Sequence, residues 1–193
     1  MPMAAVGQTE LSMTRILAIS GSLRAASSNT ALLRAAVHLA PDNIEITLYD
    51  GLGRLPPFNP DLDGSEPPAV IDFRDRVQSA DGVLFACPEY AHGVPGVLKN
   101  ALDWVVASPA FVDKPVALIN AAPRATHAQA SLSETLAVMS AIVVSETPLI
   151  VSLAGKKLDA AGIVTDPETS SALRSAIATL ARAVDMRRTA LAH

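Results

Sequence analysis

The chain has 193 residues, of which 50% are hydrophobic and 18% charged, and its formal net charge is −4. This length favours one domain, and the composition is that of a globular protein rather than a disordered one. The excess of acidic residues argues against a nucleic-acid partner, and a single cysteine excludes an internal disulfide framework.

Residues 1–12 lack the basic start and the apolar core of a secretory signal, so we predict a loose N-terminal extension. Residues 13–193 are predicted to form a single domain. No uninterrupted apolar stretch reaches the roughly 18 residues that span a bilayer. We therefore expect a cytoplasmic protein without a membrane partner.

Apolar runs and helical spacing alternate along the rest of the chain. A broken Gly/Pro-rich connection follows the second strand, and Asn29 is a plausible N-cap of the first helix. Strands are predicted over 14–21, 44–50, 82–87, 114–121 and 141–151, and helices over 29–40, 69–80, 95–108, 127–140 and 167–188.

Five alternations of strand and helix predict a parallel sheet with helices on both faces. A five-stranded doubly wound sheet is the commonest small fold of this kind. Ligands bind such sheets outside the carboxyl ends of the strands. The loops that follow Ser20, Cys87 and Ala121 should therefore lie side by side.

The first of these loops, SGSLRAASSNTALL (20–33), is suited to an anion. We expect Gly21 to let the backbone approach a ligand, and the next helix to offer its N-terminus. Short hydroxyls and the Arg24 cation suit a phosphate monoester. The alternative is that Ser27, Ser28 and Asn29 only cap the helix.

Two other phosphate motifs fail on spacing. A Walker loop requires G-x-x-x-x-G-K-[ST], and the chain contains no such run. The dinucleotide fingerprint G-x-G-x-x-G has Leu23 and Ala26 in place of its second and third glycines. Asp50 could imitate the ribose-binding acid, but without those glycines it is weak evidence. A single terminal phosphate fits better than a pyrophosphate.

The second loop, in CPEYAHGVPGVLKNALDWV (87–105), carries an acid, an aromatic and an imidazole before its helix begins. With GSLRAASSN (21–29) and PEYAHGVPGVLKNALDW (88–104), the chain resembles the NADPH-dependent FMN reductase family. This group is flavodoxin-like and includes quinone, azo-dye and chromate reductases. The similarity in layout covers roughly residues 14–186.

The resemblance implies a flavodoxin-like α/β three-layer sandwich with strand order 2-1-3-4-5, and an FMN that takes hydride from NADPH or NADH. Ping-pong transfer to a quinone, azo compound, chromate or free flavin would follow, without a catalytic side chain. A homodimer or homotetramer is implied as well. The residues expected to bind cofactor are Ser22, Arg24, Ser27, Ser28, Asn29, Thr30, Pro88, Glu89, Tyr90, Ala91, His92, Ala121, Ala122 and Arg124.

The chain departs from the family pattern in two loops. Ala91 stands where Asn is usual, which removes one side-chain hydrogen bond to the ring. The loop NAAPRATHAQA (120–130) contains no glycine, from which we expect either reduced flavin affinity or a site that admits a different acceptor. Arg124 and His127 could instead meet the NADPH phosphate. The rival functions are a binding protein that has lost tight flavin binding and an NAD-linked enzyme on a related sheet.

Several single residues have two interpretations. Cys87 could be a nucleophile working with His92, but a small buried hydrophobic residue is the commoner role. Glu89 could be a general acid, although we favour a positional role. The spacing of the four histidines indicates no metal site. Trp104 is expected in the core or at a subunit interface.

Overall fold

The computed structural model describes residues 13–144, 149–153 and 155–192. The strands are β1 (Thr14–Ser20), β2 (Ile44–Tyr49), β3 (Gly82–Ala86), β4 (Pro115–Asn120), β5 (Ile142–Val143) and β6 (Leu149–Ile150). The helices are α1 (Ser28–Leu39), α2 (Pro68–Ser79), α3 (Gly96–Asp103), α4 (His127–Val138), α5 (Ala160–Thr165) and α6 (Pro167–Leu191). The predicted order of strands and helices is confirmed, with α5 as an additional element.

The strands form one parallel sheet in the order β2-β1-β3-β4-β5, which confirms the flavodoxin-like topology. The last predicted strand, 141–151, is represented by two short strands that both pair with β4. Residues 145–148 of that prediction lie outside the described residues.

The core lies on both faces of the sheet, as a three-layer sandwich requires. Helices α2, α3 and α4 bury apolar side chains such as Phe73, Leu98 and Leu132 on one face. Helices α1, α5 and α6 bury their apolar side chains, among them Leu32 of α1, on the other face. Burying one such side chain stabilises the fold by about 1.5–3 kcal/mol. Burial on both faces therefore fixes the sheet in place, and with it the edge from which the loops extend.

Two predicted boundaries are wrong, and one connection contains short turns that were not predicted. Ser27, not Asn29, is the N-cap of α1, because its side chain accepts a hydrogen bond from the Thr30 amide. Helix α3 ends at Asp103 instead of continuing to Ser108. The connection after β2 contains two single turns of 3-10 helix, Leu52–Arg54 and Pro60–Leu62.

The end of α3 is shaped by contacts with the distant connection. Asn100 Nδ2 and Trp104 Nε1 both donate to the Pro56 carbonyl, at 2.9 and 2.8 Å. Trp104 is 5% exposed and packs edge-on against Phe58, so it belongs to the core of this chain. Lys99 and Asp103, four residues apart, form an ion pair on the outer face of the helix.

The amino ends of the strands are closed by a network of charged groups. Asp81 accepts a hydrogen bond from the Arg15 amide at 2.8 Å and pairs with Arg188 at 2.9 Å. Lys114 is buried and donates to the carbonyls of Ala80 and of Gln78, which close the C-terminus of α2. Burial, followed by repulsion from Arg187, lowers the pKa of Lys114 to about 8.

Among the described helices, including the 25-residue α6, none combines the length and the apolar character that crossing a bilayer requires.

Candidate functional site

The loops after β1, β3 and β4 meet at the carboxyl edge of the sheet, as predicted. The Gly21 amide donates to the carbonyl of Ala86 at 2.9 Å. The hydroxyls of Ser22 and Tyr90 lie 3.5 Å apart. Further along the edge, the Ala128 amide donates to the Glu89 carboxylate at 2.9 Å, which joins the loop after β3 to the start of α4.

Gly21 is needed for packing within the protein. A Cβ atom at this position would lie 3.2 Å from side-chain atoms of both Leu98 and Pro88, and 3.4 Å from the sulfur of Cys87. The structure gives Gly21 a packing role, and its approach to a ligand stays a prediction. Its missing side chain lets the loop after β1 rest on the loop after β3.

The loop after β1 contains donors that no described group satisfies. The backbone N–H groups of residues 25, 26, 28 and 29 form no hydrogen bond within the described part of the chain. Arg24 is exposed and forms no ion pair with a described residue. Asn29 is 8% exposed, and its buried Oδ1 atom has no hydrogen-bond partner among the residues described.

Other polar groups of the same loop are already engaged. The Thr30 hydroxyl lies 2.8 Å from that of Ser20. Ser22 Oγ accepts a hydrogen bond from the Arg24 amide at 3.2 Å, and Ser27 caps α1. Helix capping therefore explains the Ser27 side chain. It leaves the unpaired backbone amides of this loop and the Arg24 guanidinium without partners among the described residues.

This donor set fits a phosphate monoester, which brings two negative charges at most and three strong acceptor oxygens. Unpaired amides at a helix start and one free guanidinium are the groups that such an anion requires. A cleft of about 200 Å³ borders the loop and is lined by Ser22, Arg24, Thr30 and Arg34 among others.

The loop after β3 makes a tight reversal beside the donor row. Tyr90 and Gly93 exchange two backbone hydrogen bonds, at 3.1 and 2.9 Å. The two residues between them, Ala91 and His92, have φ of 49° and 59°. Positive φ at both central positions is the geometry of a type I′ turn, which normally uses Asn or Gly. The turn presents Tyr90 with 54% of its surface exposed.

Cys87 behaves as a small buried residue. Its side chain is 2% exposed and donates to the Pro88 carbonyl at 3.2 Å. Burial, with a smaller contribution from the Glu89 carboxylate, raises the pKa of the thiol to about 12. A nucleophilic role requires the thiolate, so the structure does not support the pairing of Cys87 with His92 in catalysis.

The loop after β4 is braced from within. Asn120 donates to the Ala125 carbonyl at 3.1 Å and accepts from the Ala122 amide at 2.9 Å. The carbonyl of Ala121 accepts from the Leu153 amide at 3.0 Å. Ala122 and Arg124 are exposed at the rim of this loop.

His127, the first residue of α4, lies against the loop after β3. Its ring stacks on that of His92, with centroids 4.4 Å apart and planes inclined by 9°. This contact and the brace formed by Asn120 were not predicted from the sequence. An asparagine at the end of a buried strand was the available signal for the second of them.

A larger cleft, of about 370 Å³, lies away from this edge beside α2 and the end of α3. Phe58, Trp104 and Val106 are among the residues that line it, and it contains none of the predicted site residues. No cluster of three or more His, Cys, Asp or Glu side chains suited to a metal ion occurs in the ranges that the structure describes.

Comparison with known proteins identifies the family. The family model for NADPH-dependent FMN reductase matches residues 14–155. An NAD(P)H-dependent FMN reductase of Pseudomonas aeruginosa is 36% identical over 86% of this chain and 92% of its own length. An NAD(P)H:quinone oxidoreductase of Solanum tuberosum is 33% identical over 86% of this chain and 90% of its own.

Among solved structures, the flavoenzyme NAD(P)H:(acceptor) oxidoreductase FerB of Paracoccus denitrificans superposes with a TM-score of 0.74 at 30% identity. The match covers 92% of this chain and 98% of FerB. The sheet order, the donor-rich loop and these similarities agree, and the chain belongs to the NADPH-dependent FMN reductase family.

Proposed function

We propose that this enzyme passes electrons from NAD(P)H through FMN to a small-molecule acceptor of the quinone type. Azo compounds, chromate and free flavins are further candidate acceptors. The observation that carries the proposal is the set of unpaired donors in the loop after β1, which are the amides of residues 25, 26, 28 and 29 and the Arg24 guanidinium. They lie at the same sheet edge as the exposed turn around Tyr90. One end of this site suits a phosphate and the other offers a surface for a flat ring.

At the phosphate end, the N–H groups at the start of α1 would donate to phosphate oxygens, because they have no competing acceptor among the described residues. Arg24 would supply the positive charge. Ser22, Ser27, Ser28, Asn29 and Thr30 would complete the surroundings of the phosphate.

At the ring end, Pro88, Glu89, Tyr90, Ala91 and His92 would lie along the isoalloxazine. Their turn is held by the hydrogen bonds between Tyr90 and Gly93, so its shape exists before the ring arrives. Preorganisation of this kind lowers the entropic cost of binding.

The loop after β4 would border the ring from the other side. Ala121 and Ala122 offer no side-chain hydrogen bonds there, and Arg124 is placed at the exposed rim where a charged part of NADPH could reach it. This assignment predicts that Arg124→Ala weakens NADPH binding more than NADH binding.

When bound, FMN supplies the redox chemistry, which is hydride acceptance from NAD(P)H and electron donation to the second substrate. The residues of this chain bind and orient the two ends of the cofactor. The buried Cys87 thiol keeps its proton at neutral pH and takes no part. We further propose a cytoplasmic homodimer or homotetramer.

The first test is a titration of the apo-protein with FMN, followed by flavin fluorescence, with riboflavin as the matched control. Riboflavin lacks the phosphate, and each charge-assisted hydrogen bond contributes about 1.5–3 kcal/mol. We expect saturable FMN binding in the micromolar range or tighter, and riboflavin binding weaker by roughly 100-fold or more.

Steady-state oxidation of NADPH and NADH with an added quinone then tests turnover. Absence of FMN binding would overturn the proposal as a whole. Equal affinity for FMN and riboflavin would overturn the assignment of the phosphate to the loop after β1.

A further inference from the structure

Helix α4 begins without a cap from its own loop. Thr126 occupies the N-cap position, but its backbone is helical (φ −95°, ψ −31°) and its side chain makes no capping hydrogen bond. Helices α1, α5 and α6 are each capped locally, by Ser27, Asp159 and Asp166. The first turn of α4 therefore needs another acceptor for its free amides.

That acceptor comes from the loop after β3. Glu89 Oε2 accepts a hydrogen bond from the Ala128 amide at 2.9 Å, across 39 positions of sequence. Glu89 is half-buried, and a carboxylate at a helix N-terminus is also favoured by the helix dipole. The Glu89 side chain thus gives the free Ala128 amide of α4 an acceptor. The same hydrogen bond fixes the distance between the loops after β3 and β4.

A second contact joins the same two loops. The rings of His92 and His127 stack with centroids 4.4 Å apart. His92 belongs to the turn with positive φ. His127 directly precedes Ala128, whose amide donates to Glu89. The connection between the loops therefore has two points of attachment, which limits their relative rotation.

We propose that Glu89 is a positioning residue, which holds the turn of the loop after β3 at a fixed distance from the loop after β4. The inference rests on the proposed function, in which the flavin ring lies against these two loops. The backbone of Glu89 would lie along the ring, while its side chain acts through α4. The width of the ring site therefore depends on the length of that side chain.

The requirement for Glu89 follows from the composition of the loop after β4. This loop has no glycine to adjust its backbone, and the Asn120 side chain is already engaged with the Ala122 amide and the Ala125 carbonyl. The loop therefore has few groups of its own with which to hold the neighbouring turn. The carboxylate of Glu89 supplies the missing attachment.

The experiment compares three variants at this position. Glu89→Gln keeps the length and an acceptor oxygen but loses the charge, Glu89→Asp keeps the charge but is one methylene shorter, and Glu89→Ala loses both. Glu134→Ala, at an exposed position of the same helix, is the matched control. Amide hydrogen exchange at Ala128 in the apo-protein reports the cap directly.

We expect exchange at Ala128 to accelerate by roughly ten- to a hundred-fold in Glu89→Ala and Glu89→Asp, because a hydrogen bond to a charged group is lost. Glu134→Ala should exchange as the parent does, and Glu89→Gln, which keeps an acceptor but loses the charge, should accelerate by less, up to roughly five-fold. In the two impaired variants, FMN and riboflavin should lose affinity by the same factor, since the phosphate loop is unchanged.

Unchanged exchange at Ala128 in Glu89→Ala would overturn the cap. Faster exchange with unchanged affinity for both flavins would show a merely structural contact and would overturn the positioning role. Glu89→Asp, which keeps the charge but not the reach, serves the same test if Glu89→Ala fails to fold. Failure of the parent protein to bind FMN would overturn the proposed function and the positioning role together, whereas exchange at Ala128 would still report the cap separately.

Discussion

The two ends of the sheet satisfy their polar groups in opposite ways. At the amino end, Asp81 joins the Arg15 amide to Arg188, and the buried Lys114 donates to two carbonyls. At the carboxyl end, the amides of residues 25, 26, 28 and 29 have no acceptor in the described part of the chain, and Arg24 has no ionic partner there.

The difference separates groups that stabilise the fold from groups that are available to a ligand. Unpaired polar groups and residues with positive φ are unfavourable, so they persist where another interaction depends on them. Both features occur side by side at the carboxyl end, in the loop after β1 and in the turn at Ala91 and His92. Positive φ also occurs at the amino end, at Asp113 and Ser140, but there the Asp113 amide is paired with the Ser140 carbonyl at 2.9 Å. We expect substitutions at the two ends to affect different quantities.

The largest effect is expected from paired arginine substitutions. Arg24→Ala removes the cation of the donor row and should weaken FMN by roughly ten- to a hundred-fold, since a hydrogen bond to a charged group contributes about 1.5–3 kcal/mol. Arg15→Ala removes an arginine of the amino end that is also largely exposed. We expect it to leave the dissociation constant of FMN unchanged, as measured by fluorescence titration.

An unchanged affinity in Arg24→Ala would show that the backbone amides alone hold the anion. A loss of similar size in Arg15→Ala would erase the distinction between the two ends. Repeating the titration with riboflavin provides a control, because a ligand without a phosphate should not distinguish Arg24→Ala from the parent.

The next effect concerns stability at the amino end. The pKa of Lys114 is about 8 in the folded protein, below the ordinary value of 10.5, mainly because of burial. Between these values the unfolded chain binds more protons than the folded one, so the Lys114 contribution to the free energy of unfolding rises with pH. From pH 7 to pH 9 we expect a gain of roughly 1 kcal/mol that is absent in Lys114→Met.

Denaturant unfolding of both proteins at the two pH values measures this gain as a difference. The difference between parent and variant removes contributions that they share, such as the Cys87 thiol, whose raised pKa opposes the trend at higher pH. Lys157→Met, at an exposed position, is the control and should follow the parent. A parallel pH dependence in the parent and Lys114→Met would show that Lys114 stays charged when folded.

The order of elements was predictable because it depends on local periodicity, which buried strands and amphipathic helices display within a few residues. The residues at which helices and strands end were less predictable. Helix α3 stops near residues that donate to Pro56, 44 and 48 positions away, and no local pattern contains that information. Helix α5 was missed because it has only six residues, one of them glycine.

The candidate site likewise has one part that depends on local sequence and another that depends on distant contacts. The phosphate loop follows from a short run of small polar residues after a strand, so sequence was sufficient to propose it. The roles of Glu89 and His127 depend on contacts between loops that lie about 40 residues apart in the chain, as the 39-residue separation of Glu89 and Ala128 shows. The sequence indicated a positional role for Glu89 without its partner.

The smallest effect tests the turn itself. Ala91 has φ of 49°, which costs an alanine about 1 kcal/mol, whereas asparagine and glycine tolerate this region. Ala91→Asn should raise the free energy of unfolding by up to about 1 kcal/mol, and Ala91→Gly by less, because glycine gains more entropy on unfolding. If the residue at 91 also hydrogen-bonds the ring, as the family pattern implies, only Ala91→Asn should tighten FMN, by roughly five-fold. Equal tightening by both variants would show that position 91 acts through backbone conformation alone.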